Sequence, residues 1–192
     1  PASIEITARG AVGDREFFFV DQENTMISMT MAGEIAPFKA HYDAINATLA
    51  ISENGQVLVE QRVEEGPAQA GNFFNVWDVQ GSLIDGGWNQ LVSERLGKQV
   101  RLIKASPERN GSDVEPLSLV SNASLKALEN SAQVGEIDPR RFRMLIQIDG
   151  IGAHEEDTWD GQEFSIGSAV IRVGDAVKRC AATTRNPSTG KS

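Results

Sequence analysis

Cys180 is the only cysteine of the 192-residue chain. It stands in Arg179-Cys180-Ala181-Ala182-Thr183-Thr184-Arg185-Asn186-Pro187-Ser188-Thr189-Gly190. A single thiol forms no internal disulfide and falls short of the set of cysteines that an iron–sulfur cluster takes. Its chemistry is that of one sulfur ligand or one nucleophile. Arg179 beside it and Arg185 downstream favour the thiolate, the form that binds metals and attacks electrophiles. The alternative is a small apolar side chain packed in a core, a common fate of free cysteine. A cationic, hydroxyl-rich segment punctuated by Pro and Gly describes a core strand poorly, and this turns the reading toward chemistry.

Arg15, Arg143, Arg179 and Arg185 stand beside strand or loop features rather than in helical ion-pair spacing. The planar guanidinium fork suits phosphate or carboxylate, although each of these arginines taken singly also reads as a solvated surface charge. Ser121 and Ser124 sit where a helix begins. They could offer hydroxyls and free backbone N–H groups to an anion, or Ser121 could simply cap the helix. Glu155-Glu156-Asp157 before Thr158-Trp159 reads as a solvated acidic loop anchored by a buried Trp159 rather than as a cation site, because adjacent carboxylates on a strand point to opposite faces. His41 and His154 are the only histidines. They are far apart and lack His-x-x-x-His or Cys-x-x-Cys partners, which disfavours zinc. With no Gly-x-Ser-x-Gly, hydrolase chemistry is also disfavoured.

The elements that must position these groups are mostly strands. Glu16–Val20 is a short apolar run, and Met26–Met29 follows the polar turn Gln22–Thr25, which predicts a hairpin. Leu49 and Ile51 alternate with polar neighbours, Asn54-Gly55 supplies a tight turn, and Val57 and Val59 alternate on the return, predicting a second hairpin. After Gly66-Pro67 the pattern loosens. Asn75–Gly81 reads as a boundary before a helix that runs through Leu91, Val92 and Leu96 and stops at Gly97. Val100–Ile103 reads as a strand and Ser106–Asp113 as a long polar loop. A second, short helix begins near Ser121 or Asn122 with Leu125 and Leu128 inward, and Met144–Ile148, Phe164–Ile166, Ala169–Val173 and Val177 read as strands. Many short strands with few helices predict a mainly β, α+β architecture built on a barrel.

The net charge of −9 argues against broad nucleic-acid binding, which needs a basic face. No apolar run reaches the roughly 18 residues of a membrane-spanning helix, and Pro1–Glu5 lacks a signal-peptide pattern. The expected location is the cytoplasm, with no membrane and no nucleic-acid partner.

Several of these segments resemble one known family. Gly13-Asp14-Arg15-Glu16-Phe17-Phe18-Phe19-Val20-Asp21, Ser121-Asn122-Ala123-Ser124-Leu125, Arg141-Phe142-Arg143, Glu156-Asp157-Thr158-Trp159 and Arg179-Cys180-Ala181-Ala182-Thr183-Thr184 occur in family order, closed by Pro187-Ser188-Thr189-Gly190. The chain is similar to MOSC-domain proteins with the N-terminal β-barrel extension found in amidoxime-reducing components. The resemblance implies an N-terminal MOSC-associated β domain at residues 1–80 and a MOSC β-barrel at 81–192. It also implies truncation at both ends, with a strand carrying Lys-Ser before Pro1 and further barrel strands after Ser192. Where the family has Pro-Asn after the arginine, this chain has Met144-Leu145, and Asn186 replaces an aspartate.

The resemblance further implies a molybdenum cofactor (molybdopterin), with Cys180 as metal ligand and catalytic centre. Arg15, Ser121, Ser124, Arg143, Arg179 and Thr183 would form its binding set. The implied function is an oxidoreductase component that reduces N-hydroxylated small molecules. It would draw electrons from a separate donor protein of ferredoxin or flavoprotein type, since one cysteine builds no relay of its own. Two alternatives stand beside it: a non-catalytic module that carries molybdenum cofactor or sulfur, and a bare β-rich structural domain in which Cys180 is buried and inert.

Overall fold

A computed structural model describes residues 4–109, 111–112, 115–133 and 135–192. Asn110 and Asp113 of the expected polar loop lie outside the described residues, as do Pro1, Ala2 and Ser3. The chain divides into two compact units, Pro1–Pro116 with Arg185–Ser192, and Leu117–Thr184.

The first unit contains strands β1 (Ile6–Thr7), β2 (Gly10–Ala11), β3 (Phe17–Val20), β4 (Lys39–Asp43), β5 (Thr48–Glu53), β6 (Gln56–Arg62), β7 (Glu65–Phe73), β8 (Trp77–Ile84) and β9 (Arg101–Ala105), and helix α1 (Gly87–Leu96). Strands β3, β9, β8 and β7 form one antiparallel sheet in that order, and β4, β5 and β6 a second. The β5–β6 hairpin turns at Asn54-Gly55, both with positive φ (51° and 81°), the left-handed conformation a tight hairpin turn demands. Helix α1 ends where Gly97 adopts the left-handed conformation, and Trp88 and Val92 on its inner face are fully buried. They join Leu49, Ile51, Ile84 and Leu102 in one core, while Phe18, Val20, Phe73, Val79 and Ile103 form another on the four-stranded sheet.

Several details depart from expectation. The Met26 segment makes one bridge to Val20 instead of a full return strand. Residues 65–84, read as loosened pattern and boundary, are instead the longest hairpin of the unit. Their glycines mark close packing rather than chain reversal: a Cβ on Gly81 would sit 2.3 Å from the Lys104 carbonyl oxygen, and one on Gly71 2.3 Å from the Phe18 ring.

The second unit holds β10 (Leu119–Ser121), α2 (Asn122–Ala132), β11 (Ile146–Ile148), β12 (Glu163–Ile166) and β13 (Ala169–Arg172). Strands β10 and β11 pair in parallel through the α2 crossover, and β12–β13 is a hairpin. Helix α2 buries Ser124, Leu125 and Glu129, whereas Leu128, expected inward, is 38% exposed. The helix packs a partly polar face, so apolar spacing alone picked the wrong partner for Leu125. Val177 lies outside any strand and is exposed.

With 35% strand and 19% helix the protein is mainly β with mixed sheets. Among the described residues these sheets remain separate, and none closes into a barrel.

Candidate functional site

Cys180 is exposed, not buried in a core. It leads into the 3₁₀ turn Ala181–Thr184, and this turn is closed by its own threonines. The Thr183 backbone N–H and hydroxyl both donate to the Cys180 carbonyl, at 3.2 and 3.0 Å, and the Thr184 hydroxyl donates to the Ala181 carbonyl at 2.8 Å. Hydroxyl-to-backbone bonds of this kind explain why a Thr-Thr pair favours a tight turn over a strand.

A second 3₁₀ turn, Pro139–Phe142, begins at Asp138, whose side chain accepts from the Arg140 N–H. Proline at the start of the turn costs nothing, because that N–H has no partner inside it. From this turn Arg141 donates to the Thr184 and Thr183 carbonyls, at 2.9 and 3.4 Å, and Phe142 presents its ring to Arg179, whose guanidinium carbon lies 5.2 Å from the ring centroid. Cation–π contact at this range holds the residue immediately before Cys180. Arg143 follows in the left-handed conformation, φ 54°, with its side chain exposed. Phe142 and Thr183 thus form, with Arg179 and Cys180, one cluster in the second unit.

Ser121 and Ser124 form a different cluster. Ser121 caps α2, its Oγ accepting from the Ser124 N–H at 3.0 Å and donating to the Ser124 hydroxyl at 2.8 Å. The Ser124 Oγ also accepts from the His154 N–H at 2.7 Å. Both serines are buried, Ser121 completely. The Ser121 backbone N–H donates to Glu156 Oε1 at 2.9 Å. A carboxylate of the protein itself therefore takes the place an anion would take at this helix start, as the helix dipole favours.

Glu156 was expected on a solvated acidic loop, and the structure corrects this. Burial is the strongest single influence on its carboxyl and acts upward, but hydrogen bonds led by those from the Ser121 N–H and the Ser124 hydroxyl outweigh it, leaving the group below the ordinary carboxylate range. Its Oε2 is sealed from solvent without a hydrogen bond of regular geometry among the described residues. Sequence reading had no signal for this contact, since 35 residues separate the partners. Trp159 is half-buried against Phe164, ring centroids 4.5 Å apart, and so anchors the acidic turn less deeply than expected.

The other two arginines singled out from sequence, Arg15 and Arg185, lie in the first unit. Arg15 adopts φ 53° and pairs with Asp14. Arg185, considered from sequence as an anion contact, donates instead to the Gly190 and Thr30 carbonyls at 2.9 and 2.7 Å. Two pockets of this unit, one around Gln22, Ser93 and Arg101 and one around Glu65, Gly81 and Lys104, contain none of the predicted site residues. Among the described residues no group of three or more His, Cys, Asp or Glu could hold a metal ion, and no helix is long and apolar enough to cross a membrane.

Residues 106–191 match the MOSC domain. The chain is also similar to mitochondrial amidoxime reducing component 2 of Homo sapiens, 40% identical over 78 residues, which is 41% of this chain and 22% of the human protein. Mitochondrial amidoxime-reducing component 1 of Mus musculus is 38% identical over 79 residues, with the same coverage of 41% and 22%. The matched stretch spans less than a quarter of these relatives. The MOSC match includes Cys180, Ser121, Ser124, Arg143, Arg179 and Thr183 and leaves out Arg15.

Proposed function

From a chain that is MOSC-like over residues 106–191, we propose a molybdenum-cofactor-binding oxidoreductase component that reduces N-hydroxylated small molecules. The observation that carries the reading is the exposed Cys180 on a turn held by Thr183, beside a stacked Arg179, within the matched stretch. The donor set fits the group: one exposed sulfur suits a metal whose other ligands come with its cofactor.

When bound, the cofactor would supply a two-electron redox centre, so that an N-hydroxyl compound, two electrons and two protons give the parent amine-type nitrogen and water. The chain's residues would bind and orient. Cys180 supplies the sulfur. Arg15 and Arg143 would hold the cofactor's phosphate or pterin, and Arg179 would belong to the same binding set. Thr183 fixes the sulfur by bonding the Cys180 carbonyl. Ser121 and Ser124 act at one remove: their hydroxyls are engaged with each other and with the backbone, so they shape the start of α2, and an anion docking there would have to displace Glu156. Electrons would come from a separate donor protein. A closed MOSC barrel and a cytoplasmic location belong to the same proposal.

Cofactor loading tests it. Reconstituted full-length protein is expected to hold near-stoichiometric molybdenum by elemental analysis, and Cys180→Ser to lose it. Absence of molybdenum in the parent protein, or unchanged content in Cys180→Ser, refutes the reading. A second reading, a carrier of cofactor or sulfur, is favoured by the same exposed thiol. It predicts loading and transfer to an acceptor without turnover of N-hydroxylated compounds.

A further inference from the structure

The segment that leads to Cys180 has little hold of its own. Strand β13 ends at Arg172, and the Val173 N–H makes the last sheet-like bond, to the Gln162 carbonyl at 2.9 Å. From Gly174 to Arg179 the chain is neither helix nor strand and every residue is exposed. Among the described residues no hydrogen bond or ion pair reaches this stretch. The hold that remains is the Phe142 ring against the Arg179 guanidinium. Downstream of the sulfur, the turn Ala181–Thr184 bonds to itself and to Arg141 through the Thr183 and Thr184 carbonyls.

The turn that carries Arg141 and Phe142 is rooted more deeply. The Ile137 N–H donates to Glu129 Oε1 at 2.8 Å, and Glu129 lies on the buried face of α2 with Ser124 and Leu125. Asp138 follows directly and caps the turn, and Pro139 fixes the backbone at its first position. Both residues therefore stand on backbone tied to a helix, whereas what they hold is exposed chain of the same unit.

We propose that Phe142 and Arg141 are positioning residues for Cys180. Phe142 fixes the upstream flank by holding Arg179, and Arg141 fixes the downstream flank by holding the Thr183 and Thr184 carbonyls. The inference rests on the reading of Cys180 as the working sulfur and adds how the chain keeps that sulfur in place. An exposed segment with few buried contacts opens locally at little cost, so a sulfur that must meet a bound group in a set geometry needs supports outside its own turn. An aromatic ring suits Arg179 because it attracts the cation without offering an oxygen acceptor. Among the described residues the Arg179 donors make no hydrogen bond, so the ring holds the arginine and leaves its N–H groups for an anion.

The lone cysteine supplies its own probe. A nitroxide attached to Cys180 of the otherwise unaltered chain, without cofactor, reports local motion by electron paramagnetic resonance. The unaltered chain is expected to show restricted motion. Phe142→Leu, which keeps apolar bulk and loses the ring, and Arg141→Ala each shorten the correlation time about threefold or more. Phe142→Tyr, which keeps the ring, retains the parent spectrum. Asn122→Ala, which breaks a bond to Asp149 elsewhere in the second unit, leaves it unchanged. Arg179→Gln removes the same contact from an exposed residue and takes the place of Phe142→Leu if that variant does not fold, as Arg141→Gln does for Arg141→Ala. Fast motion in the unaltered chain, an unchanged spectrum on either flank, equal loosening in Phe142→Tyr and Phe142→Leu, or loosening in Asn122→Ala overturns the proposal. Molybdenum content of the unlabelled, reconstituted protein is read separately. A chain that holds no molybdenum yet shows ring-dependent restriction refutes the cofactor reading and leaves the positioning roles standing.

Discussion

Replacing Glu156 tests the internal anion at the start of α2. Its Oε1 accepts from the Ser121 N–H at 2.9 Å, and Ser121 is completely buried. A hydrogen bond to a charged group contributes about 1.5–3 kcal/mol, and a buried donor left unpaired costs about 1–3 kcal/mol. Glu156→Ala removes the acceptor and strands the donor, so it is expected to destabilise the protein by about 2–3 kcal/mol. Glu156→Gln keeps an oxygen in place and loses the charge, with about 1 kcal/mol expected. For a chain of this length each kcal/mol lowers Tm by about 2–4 °C. The pH dependence separates charge from shape. The folded-state pKa of Glu156 lies below its ordinary 4.5, so its charge stabilises the fold fully above that ordinary value and progressively less as pH falls through the folded-state pKa. Urea titrations followed by far-ultraviolet circular dichroism, run from pH 7 to pH 3, should show the gap between parent and Glu156→Gln constant near neutrality and closing in acid. Parallel curves down to pH 3, or a Glu156→Ala variant as stable as the parent, would refute the internal-anion account.

Gly81→Ala drives a Cβ to 2.3 Å from the Lys104 carbonyl oxygen. It should cost about 2–3 kcal/mol by forcing β8 from β9, and a thermal melt within a degree of the parent would contradict the packing described. Trp88→Phe removes the indole N–H that donates to the Leu49 carbonyl at 3.0 Å and empties part of a fully buried site. The expected loss is about 2–3 kcal/mol in chemical denaturation.

Local signals were readable where they act within a few residues. Asn54-Gly55 named the β5–β6 turn, Gly97 named the end of α1, and Ser121 named the cap of α2. The strands at 65–84 escaped because Gly66, Pro67, Gly71 and Gly81 look like punctuation in one dimension. In the sheet, Gly71 and Gly81 are places where another strand or ring comes too near for a side chain. The exposure of Cys180 agrees with the polar, cationic character of its segment. What surrounds it did not show in sequence: Glu156 on Ser121 and Arg185 on Thr30 are long-range pairings, and no spacing rule announces them. Leu128 was misplaced because α2 turns the polar Ser124 and Glu129 inward beside Leu125.

The first unit takes its last piece, Arg185–Ser192, from beyond the whole of the second, Leu117–Thr184. A nascent chain leaving the ribosome at about 5–20 residues per second must therefore wait several seconds after Pro116 emerges before the segment that rests on Thr30 and Gly33 exists. During that interval the Thr30 carbonyl lacks the guanidinium donor that Arg185 gives it in the folded chain. Translation that stalls within the second unit would leave the first unfinished, so loss of the downstream residues would damage the half of the protein made earliest.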